Sequence, residues 1–328
     1  MRILVVGGAG YIGSHAVKHL VSEGHEVSVL DNLANGHREA VKNATFFEGD
    51  LADPQSLKAH LKESRADAVM HFAAFASVPE SVVDPAKYYR NNVTGTLNLL
   101  DAMRDVGVFR IVFSSTAAVY GNPSAVPISE DAPKLPINPY GFTKLAMERV
   151  LSDYANAYGF GSAILRYFNA CGAAADASIG EDHSPESHLI PLVLAVALGK
   201  RQSISICGTD YPTPDGTCVR DYIHVEDLAD AHLKVLERIK PGQSLVYNVG
   251  TGVGVSVRQV VEAARRVTGR EIPAIDCPRR AGDPPELVAS PAAIRRDLGW
   301  SPRFTEIESI IASAWKWHET HPTGYRIS

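Results

Sequence analysis

Short apolar runs alternate with longer amphipathic stretches over the first half of the chain. Ile3-Leu4-Val5-Val6 is an apolar run rich in β-branched side chains, and it ends at glycines. Such a run is typical of a strand that is buried on both faces of a parallel sheet. The same pattern predicts further strands at residues 26–30, 45–48, 68–72, 110–113 and 161–167.

Helical segments are predicted between these strands, including residues 11–23, 92–106 and 140–159. Gly24 directly follows the first of them, as expected at the end of a helix. Strands that alternate with helices form right-handed βαβ units. The predicted fold is therefore α/β, a Rossmann-type doubly wound parallel sheet.

The alternation weakens after about Ala170, where glycine, proline and polar residues become more frequent. We predict a first domain over residues 1–170 and a smaller C-terminal α/β substrate-binding lobe over residues 171–328. A helix near residues 225–239 and a strand at 245–249 are expected to return to the large sheet, so that about 220–250 rejoins the first domain.

Composition and charge exclude some classes of partner. The 328 residues carry a net charge of -5 and 45% hydrophobic residues, and the isoelectric point is near 6.2. This slightly acidic net charge predicts that neither a nucleic acid nor a membrane is the main partner. The apolar stretch around residues 190–198 is too short to span a bilayer, and the N-terminus lacks the pattern of a signal peptide. The four cysteines form no Cys-x-x-Cys pair, which favours reduced thiols and a cytoplasmic protein.

Three glycines with regular spacing follow the first predicted strand. Gly7, Gly10 and Gly13 would let the backbone approach a pyrophosphate at the start of a helix, whose amides attract anions. A plain tight turn would need the same residues. Asp31 ends the second strand, where a carboxylate accepts hydrogen bonds from a ribose diol and repels a 2′-phosphate, so NAD is favoured over NADP. Asp31 would also serve as a turn cap, and the nearby Arg38 leaves NADP open.

Two further segments are candidates for the cofactor site. Asp50 and Leu51 follow the third strand and are placed to meet the adenine, although Asp50 would equally suit a turn. Phe72, Ala73 and Ala74 follow the fourth strand. The two alanines are small enough to let a dinucleotide lie across the sheet edge.

Tyr140 and Lys144 lie one helical turn apart and therefore share a helix face. A phenol has a pKa of about 10, which a neighbouring ammonium and a nicotinamide cation would lower. A phenolate there would take the proton of a secondary alcohol while hydride leaves its carbon. Thr116 would hydrogen-bond the reacting oxygen, or simply cap a turn.

No acid follows this threonine, because Ala117 and Ala118 occupy the next two positions. A nucleotide-sugar dehydratase or decarboxylase would place an acid just after the hydroxyl, so the sequence disfavours both reactions. A noncatalytic NAD-binding or redox-sensing protein is a second alternative. The combination of Tyr140, Lys144 and Thr116 argues against that class.

The histidines predict no metal site. His15 and His19 have i, i+4 spacing but lack the intervening glutamate of a zinc protease. His183 and His188 lie in a loop without a cysteine at metal spacing.

Two arginines are candidates to clamp a diphosphate. Arg220 and Arg280 carry guanidinium forks that suit phosphate bidentately. A solvated surface arginine is an equally good interpretation of each from sequence alone.

These motifs together resemble the extended short-chain dehydrogenase/reductase family, in particular its members that epimerise UDP-sugars at C4. The likeness runs nearly end to end and includes Gly7 to His15, Asp31-Asn32-Leu33, Tyr89 to Thr96, Phe113 to Gly121, Pro139 to Lys144, Leu165 to Asn169, Asp210 to Thr213, Val219 to Val225 and Arg280 to Asp283.

The resemblance implies a retained NAD and a reversible oxidation at C4. Tyr140 would take and return the C4 hydroxyl proton, while Lys144 would bind the nicotinamide ribose. The 4-keto sugar would turn about its diphosphate link between the two hydride transfers. The cofactor residues are then Gly7, Gly10, Tyr11, Ile12, Gly13, Asp31, Asn32, Asp50, Leu51, Phe72, Ala73, Ala74, Asn91, Ser115, Tyr140, Lys144 and Phe168. The UDP-sugar residues are Thr116, Asn169, His188, Leu189, Arg220, Tyr222, Arg280, Asp283 and Leu287.

The resemblance also implies a homodimer formed through the helices near residues 92–106 and 140–159.

Three residues depart from the family pattern. Thr116 stands where many members carry serine, Ala76 where some carry lysine, and His188 where some carry asparagine. The resemblance implies that Leu287 lines the pocket beside the sugar C2 group, where a tyrosine would close it to an N-acetyl group. Leucine there predicts room for an N-acetyl group. A 4-epimerase of UDP-pentose or UDP-glucuronate stays an alternative because the C4 chemistry is identical.

Overall fold

The computed structural model describes residues 1–280 and 283–325 and divides the chain into two compact units. Unit 1 comprises Met1–Asn122, Pro133–Arg166 and Ala229–Asn248, and unit 2 comprises Pro123–Ala132, Tyr167–Leu228 and Val249–Ser328. None of the helices in the described part of the chain combines the length and apolar character needed to cross a membrane.

The strands and helices largely follow the predicted alternation over the first half of the chain. The strands are β1 (Arg2–Val6), β2 (Glu26–Asp31), β3 (Thr45–Glu48), β4 (Ala68–His71), β5 (Arg110–Thr116), β6 (Gly161–Tyr167), β7 (Asn169–Cys171), β8 (Ile204–Cys207), β9 (Val219–His224), β10 (Ser244–Val249), β11 (Gly254–Ser256), β12 (Ala274–Cys277) and β13 (Glu286–Leu287). The helices are α1 (Tyr11–Ser22), α2 (Pro54–Ser64), α3 (Val78–Val83), α4 (Pro85–Tyr88), α5 (Gly95–Val106), α6 (Pro139–Tyr158), α7 (Leu189–Ala197), α8 (Val225–Arg238), α9 (Val257–Thr268), α10 (Ala292–Leu298) and α11 (Ile307–Thr320).

Unit 1 is built on a seven-stranded sheet in the order β3-β2-β1-β4-β5-β6-β10. β1 pairs in parallel with β2 on one side and with β4 on the other. The strand order therefore reverses between β1 and β4, and in such sheets ligands bind beyond the carboxyl ends of the strands at this point. Gly7 and Phe72 directly follow these two strands. The predicted Rossmann-type class is confirmed.

Buried aliphatic side chains hold three helices of unit 1 against the sheet. α2, α5 and α6 contribute to one hydrophobic core with strands β1, β2, β3, β4, β5 and β6; its helix members include Leu57, Leu61, Leu99, Leu100, Met103, Met147 and Leu151. The last two side chains are fully buried, which fixes the helix that begins at Pro139.

Unit 2 gathers distant segments around one strand. β9 pairs in parallel with β7 and β13 and antiparallel with β11, while β8 and β12 form a separate parallel pair. The registers place Tyr222 opposite Asn169 and Arg220 opposite Leu287. α7, α9 and α11 share a second hydrophobic core.

The division into units differs from the predicted boundaries in three places. Unit 2 contains residues 123–132, 167–170 and 220–228, whereas β10 joins the large sheet as expected. The buried carboxylate of Asp221 explains why β9 stays in unit 2. It accepts hydrogen bonds from the backbone amides of Thr251, Gly252 and Ala289, and so ties β9 to two later segments.

Candidate active site

The turn between β1 and α1 is packed so closely that it requires glycine. Gly7 has a φ of +81°, and a Cβ there would lie 2.4 Å from the backbone nitrogen of Ala73. A Cβ on Gly13 would lie 2.1 Å from the carbonyl oxygen of Gly7. Gly10 caps α1 and would meet no atom closer than 3.5 Å, so the helix N-terminus, where Tyr11 and Ile12 begin α1, remains approachable on this side. A pyrophosphate fits this combination of small residues and helix amides.

Asp31 is held in place by two backbone amides. Its Oδ2 accepts a hydrogen bond from Ala9 N at 2.9 Å and its Oδ1 accepts one from Leu33 N at 2.8 Å. Burial raises the pKa of Asp31, while these two amides act in the opposite direction. The guanidinium of Arg38, the residue that left NADP open in the sequence analysis, lies 4.2 Å above the ring of Phe46. The carboxylate is thus fixed beside the glycine turn, as the ribose-binding prediction requires.

A cavity of about 360 Å³ lies in unit 1 and brings three predicted cofactor residues together, namely Asp50, Leu51 and Asn91. Asn32 donates a hydrogen bond to Asp50, which places it at the same edge. The sequence analysis missed the remaining lining residues, which are Ala52, Phe75, Asp84, Lys87, Arg90 and Gly95. Ala52 directly follows the predicted Leu51, and Arg90 and Gly95 lie in the segment Tyr89 to Thr96 that carries the family resemblance.

A π-helical turn over Tyr89–Thr94 connects α4 to α5, where the sequence predicts an α-helix from residue 92. Within it, the buried amide of Asn92 accepts a hydrogen bond from Phe75 N and donates to Thr143 Oγ1. Asn91 in turn donates to Asn92. Such turns are frequent at functional sites. This one joins the wall of the cavity to the helix that carries Tyr140.

Tyr140, Lys144 and Thr116 come together in unit 1 as predicted. Asn138 caps α6 by accepting a hydrogen bond from Gly141 N, which sets Tyr140 in the first helical turn. The Thr116 hydroxyl at the end of β5 lies close enough to the Tyr140 phenol to influence its pKa. Lys144 Nζ donates to the carbonyl oxygen of Ser114 at 2.9 Å. A hydroxyl, a phenol and an amine therefore meet at the carboxyl end of β5.

Burial dominates the acid–base properties of these groups. It raises the pKa of Tyr140, and the neighbouring Thr116 hydroxyl opposes that shift. Burial also lowers the pKa of Lys144 to about 7. The residues alone therefore do not produce the lowered pKa expected for Tyr140, because desolvation of the phenolate outweighs the protein groups around it.

A buried ion pair, which the sequence analysis missed, lies next to the site. Arg166 on β6 donates to both carboxylate oxygens of Glu148 on α6 and also to the hydroxyl of Tyr120. Ser115, a predicted cofactor residue, donates its hydroxyl to the same carboxylate of Glu148. This network ties β5, β6 and α6 together next to Thr116.

Unit 2 carries a cavity of about 230 Å³ that collects most of the predicted UDP-sugar residues. Its lining includes seven of them: Asn169, His188, Leu189, Arg220, Tyr222, Arg280 and Asp283. Leu287 lies opposite Arg220 in the β13–β9 register, so the two side chains are on the same face of the sheet. Phe168 lies between β6 and β7.

Two charged groups of this cavity, Arg220 and Asp283, form an ion pair. Arg220 donates to Asp283 Oδ1 at 3.2 Å and to its neighbouring carbonyl, that of Val219. Asn169 is held by a hydrogen bond to the carbonyl oxygen of Asp221. Burial raises the pKa of Tyr222, so its phenol stays neutral. A guanidinium, an amide and a phenol are thus available to a polar ligand.

Comparison with known proteins gives full-length matches. The NAD dependent epimerase/dehydratase family matches residues 3–250. The UDP-glucose 4-epimerase of Lacticaseibacillus casei is 52% identical over 99% of this chain and 99% of its own length. A crystal structure of a UDP-glucose 4-epimerase has a TM-score of 0.96 at 51% identity, with 99% of each chain covered. The Brucella ovis UDP-glucose 4-epimerase, solved in complex with NAD, has a TM-score of 0.92 at 49% identity and covers 96% of this chain and 97% of its own.

Proposed function

This chain belongs to the NAD dependent epimerase/dehydratase family, and from that premise we propose that it inverts C4 of a UDP-hexose. The reaction interconverts UDP-glucose and UDP-galactose through transient oxidation to a 4-keto sugar. The enzyme is an isomerase, since substrate and product are isomers and no cofactor is consumed in a full cycle. The resemblance seen in the sequence and the full-length matches to UDP-glucose 4-epimerases support the same reaction.

The observation that carries the proposal is the meeting of Tyr140, Thr116 and Lys144 at the end of β5. Tyr140 takes the proton of the C4 hydroxyl and later returns it to the sugar oxygen. Thr116 orients that oxygen through its hydroxyl. Lys144 is buried and lies on the same face of α6, where its ammonium form favours the ionised state of Tyr140.

NAD is the cofactor, and it supplies the acceptor and then the donor of the C4 hydride. The glycine turn would hold its pyrophosphate, and the amide-fixed carboxylate of Asp31 would accept hydrogen bonds from the ribose hydroxyls. Because the reaction is redox-neutral, the protein has no need to exchange the cofactor between turnovers.

The cavity of unit 2 supports the choice of a nucleotide diphosphate sugar as substrate. Arg220 and Arg280 offer forks to the diphosphate, while Asn169 and Tyr222 offer neutral polar groups. The identity of the sugar is less constrained, so a UDP-pentose or UDP-glucuronate 4-epimerase remains the second candidate. Leu287 favours acceptance of UDP-N-acetylglucosamine as well.

Incubation of the purified protein with UDP-galactose, followed by separation of the UDP-sugars, tests the activity. We expect UDP-glucose to form without added NAD. Denaturing the same protein should release about one NAD or NADH per chain. Protein that needs stoichiometric NAD in each turnover would contradict a retained cofactor, and protein that binds NAD but converts no UDP-sugar would favour a noncatalytic role.

We also propose a homodimer that forms through α5 and α6 and works in the cytoplasm. On α6, the ring of Phe142 is 49% exposed and contacts the partly exposed ring of Tyr89. The four cysteines are unpaired, as expected in a reducing compartment. Sedimentation of the wild type and of Phe142→Glu tests the interface. A wild-type protein that sediments as a monomer would contradict it.

A further inference from the structure

Four side chains of the segment between β7 and α7 converge on one point. Glu181, His183, Glu186 and His188 each direct a ligand-type atom there, and these four atoms lie within 4.8 Å of one another. The sequence analysis predicted no metal because it looked for a cysteine near the two histidines. It overlooked the carboxylates that alternate with them.

Two of the four nitrogen–oxygen distances within this Glu–His cluster match the ligand spacing of a tetrahedral coordination shell, and the two that involve His188 are a few tenths of an ångström shorter. His188 Nδ1 lies 2.9 Å from Glu181 Oε1 and 3.0 Å from Glu186 Oε1. His183 Nδ1 lies 3.3 Å from Glu181 Oε1 and 3.6 Å from Glu186 Oε2. Four ligands around Zn²⁺ at bond lengths of about 2.0–2.2 Å are separated by roughly 3.3–3.6 Å.

The burial of the cluster indicates a site rather than a surface ion pair. The side chain of Glu181 is only 5% exposed, and its Oε1 makes no hydrogen bond of acceptable geometry among the described residues. His188 is 54% exposed, and it lines the unit 2 cavity together with Glu181. The cluster therefore has a buried floor and an open side through which an ion can enter.

The chemistry of the donors selects the class of ion. Two imidazoles and two carboxylates suit a borderline divalent cation, whereas Mg²⁺ and Ca²⁺ prefer oxygen ligands alone. With neutral imidazoles the two carboxylates carry a charge of about -2, which one such cation neutralises. We propose that Glu181, His183, Glu186 and His188 bind one divalent cation of the zinc type.

The place of the cluster in the fold gives the ion a structural role. The segment is anchored at its start, where the carbonyl oxygen of Gly180 accepts a hydrogen bond from the Tyr325 hydroxyl, and Asp182 accepts one from Tyr325 N. An ion bound to Glu186 and His188 would anchor the other end, directly before Leu189, which lines the cavity. The ion holds this wall in place and takes no part in hydride or proton transfer.

The competing interpretation is a cluster held by protons. Burial by itself would lower the pKa of both histidines, but the neighbouring carboxylates outweigh it and raise that of His183 to about 9 and that of His188 to about 10. Two imidazolium ions would neutralise the same carboxylates. Because a metal must displace these protons, binding is best measured at pH 8.

The test uses untagged protein with its NAD retained, dialysed against a chelator and titrated with Co²⁺. We expect one Co²⁺ per chain, with the visible absorption of a tetrahedral site, and displacement of Co²⁺ by Zn²⁺. His183→Gln should weaken binding more than about tenfold, the scale at which even indirect support of a metal ligand acts. His19→Gln is the matched control, because His19 faces the single carboxylate of Asp230 at 3.6 Å, and it should bind Co²⁺ like the wild type.

The outcomes separate the two interpretations without reference to epimerase activity. Absence of Co²⁺ uptake by the folded wild type, or equal uptake by His183→Gln, would overturn the site and favour the protonated cluster. Circular dichroism and NAD content show whether the variant is folded. If His183→Gln fails to fold, Glu186→Gln removes a second ligand and answers the same question.

Discussion

The two units place their reactive charges in opposite environments. In unit 1 the ammonium of Lys144 is buried and donates to a neutral carbonyl oxygen, and burial alone shifts its pKa to about 7. In unit 2 the guanidinium of Arg220 is paired with the carboxylate of Asp283. A buried amine without a counter-ion titrates near neutral pH, whereas paired groups keep their charge. The first arrangement suits proton transfer, and the second suits binding of an anionic ligand.

This contrast predicts different consequences of mutation. Changes in unit 1 should act on turnover and on the pH dependence of stability, while changes in unit 2 should act on affinity for the UDP-sugar. A substitution that reduced turnover and UDP-sugar affinity by equal factors would contradict this division of roles between the two units.

The largest expected effect is that of Tyr140→Phe. The variant keeps the ring and its packing but loses the proton acceptor, so kcat should fall about 10²–10⁴-fold. NAD content and affinity for the UDP-sugar should stay near the wild-type values. Tyr154→Phe is the matched control, since Tyr154 lies on the same helix and donates to Asp101 at the surface. Full activity of Tyr140→Phe would remove this residue from the mechanism.

The environment of Lys144 predicts a pH dependence of stability with a defined sign. Its pKa is about 7 in the folded chain and about 10.4 when unfolded. Between these values the unfolded chain binds more protons, so stability rises with pH. Relative to Lys144→Met, the wild type should therefore gain roughly 2–3 kcal/mol in free energy of unfolding between pH 7 and pH 9.

Urea unfolding of nucleotide-free protein at both pH values measures this difference. Lys58→Met serves as the control for loss of a lysine, because Lys58 is an exposed residue paired with Asp105. A wild-type gain no larger than that of Lys144→Met would show that Lys144 is solvated or paired in solution.

In unit 2, Arg220→Ala and Arg280→Ala should each weaken UDP-sugar binding by about 1.5–3 kcal/mol, the scale of a hydrogen bond to a charged group. NAD content should not change. Arg279→Ala is the neighbouring control, since Arg279 lies outside the cavity lining, where it pairs with Asp210 and stacks on Tyr211. Calorimetry with UDP gives the affinities. Loss of NAD with unchanged UDP binding would assign the arginines to the wrong ligand.

The two units also differ in how far sequence alone could predict them. The Gly7 turn and the Tyr140–Lys144 pair depend on spacings within one turn or one helix, so local pattern was sufficient. The unit 2 cavity depends on registers such as Asn169 with Tyr222, between segments some 50 residues apart, which local pattern does not encode. There the residues other than Arg220 and Arg280 were predicted from family resemblance. The pairing of Glu148 with Arg166 and the Glu181 cluster escaped both approaches, because an isolated charge in a sequence carries no sign of its partner.

The smallest expected effect concerns the width of the sugar pocket. Leu287 shares a sheet face with Arg220, so a larger side chain there would reduce the space beside the ligand. Leucine is shorter than tyrosine and brings no hydroxyl, so the wild type should turn over UDP-N-acetylglucosamine as well as UDP-glucose. Leu287→Tyr should suppress the N-acetyl activity by steric exclusion and spare the plain hexose. The ratio of the two kcat/KM values measures this, and Leu287→Met, which keeps the volume, is the control. A wild type that converts UDP-galactose freely but leaves the N-acetyl sugar untouched would show that other residues close the pocket.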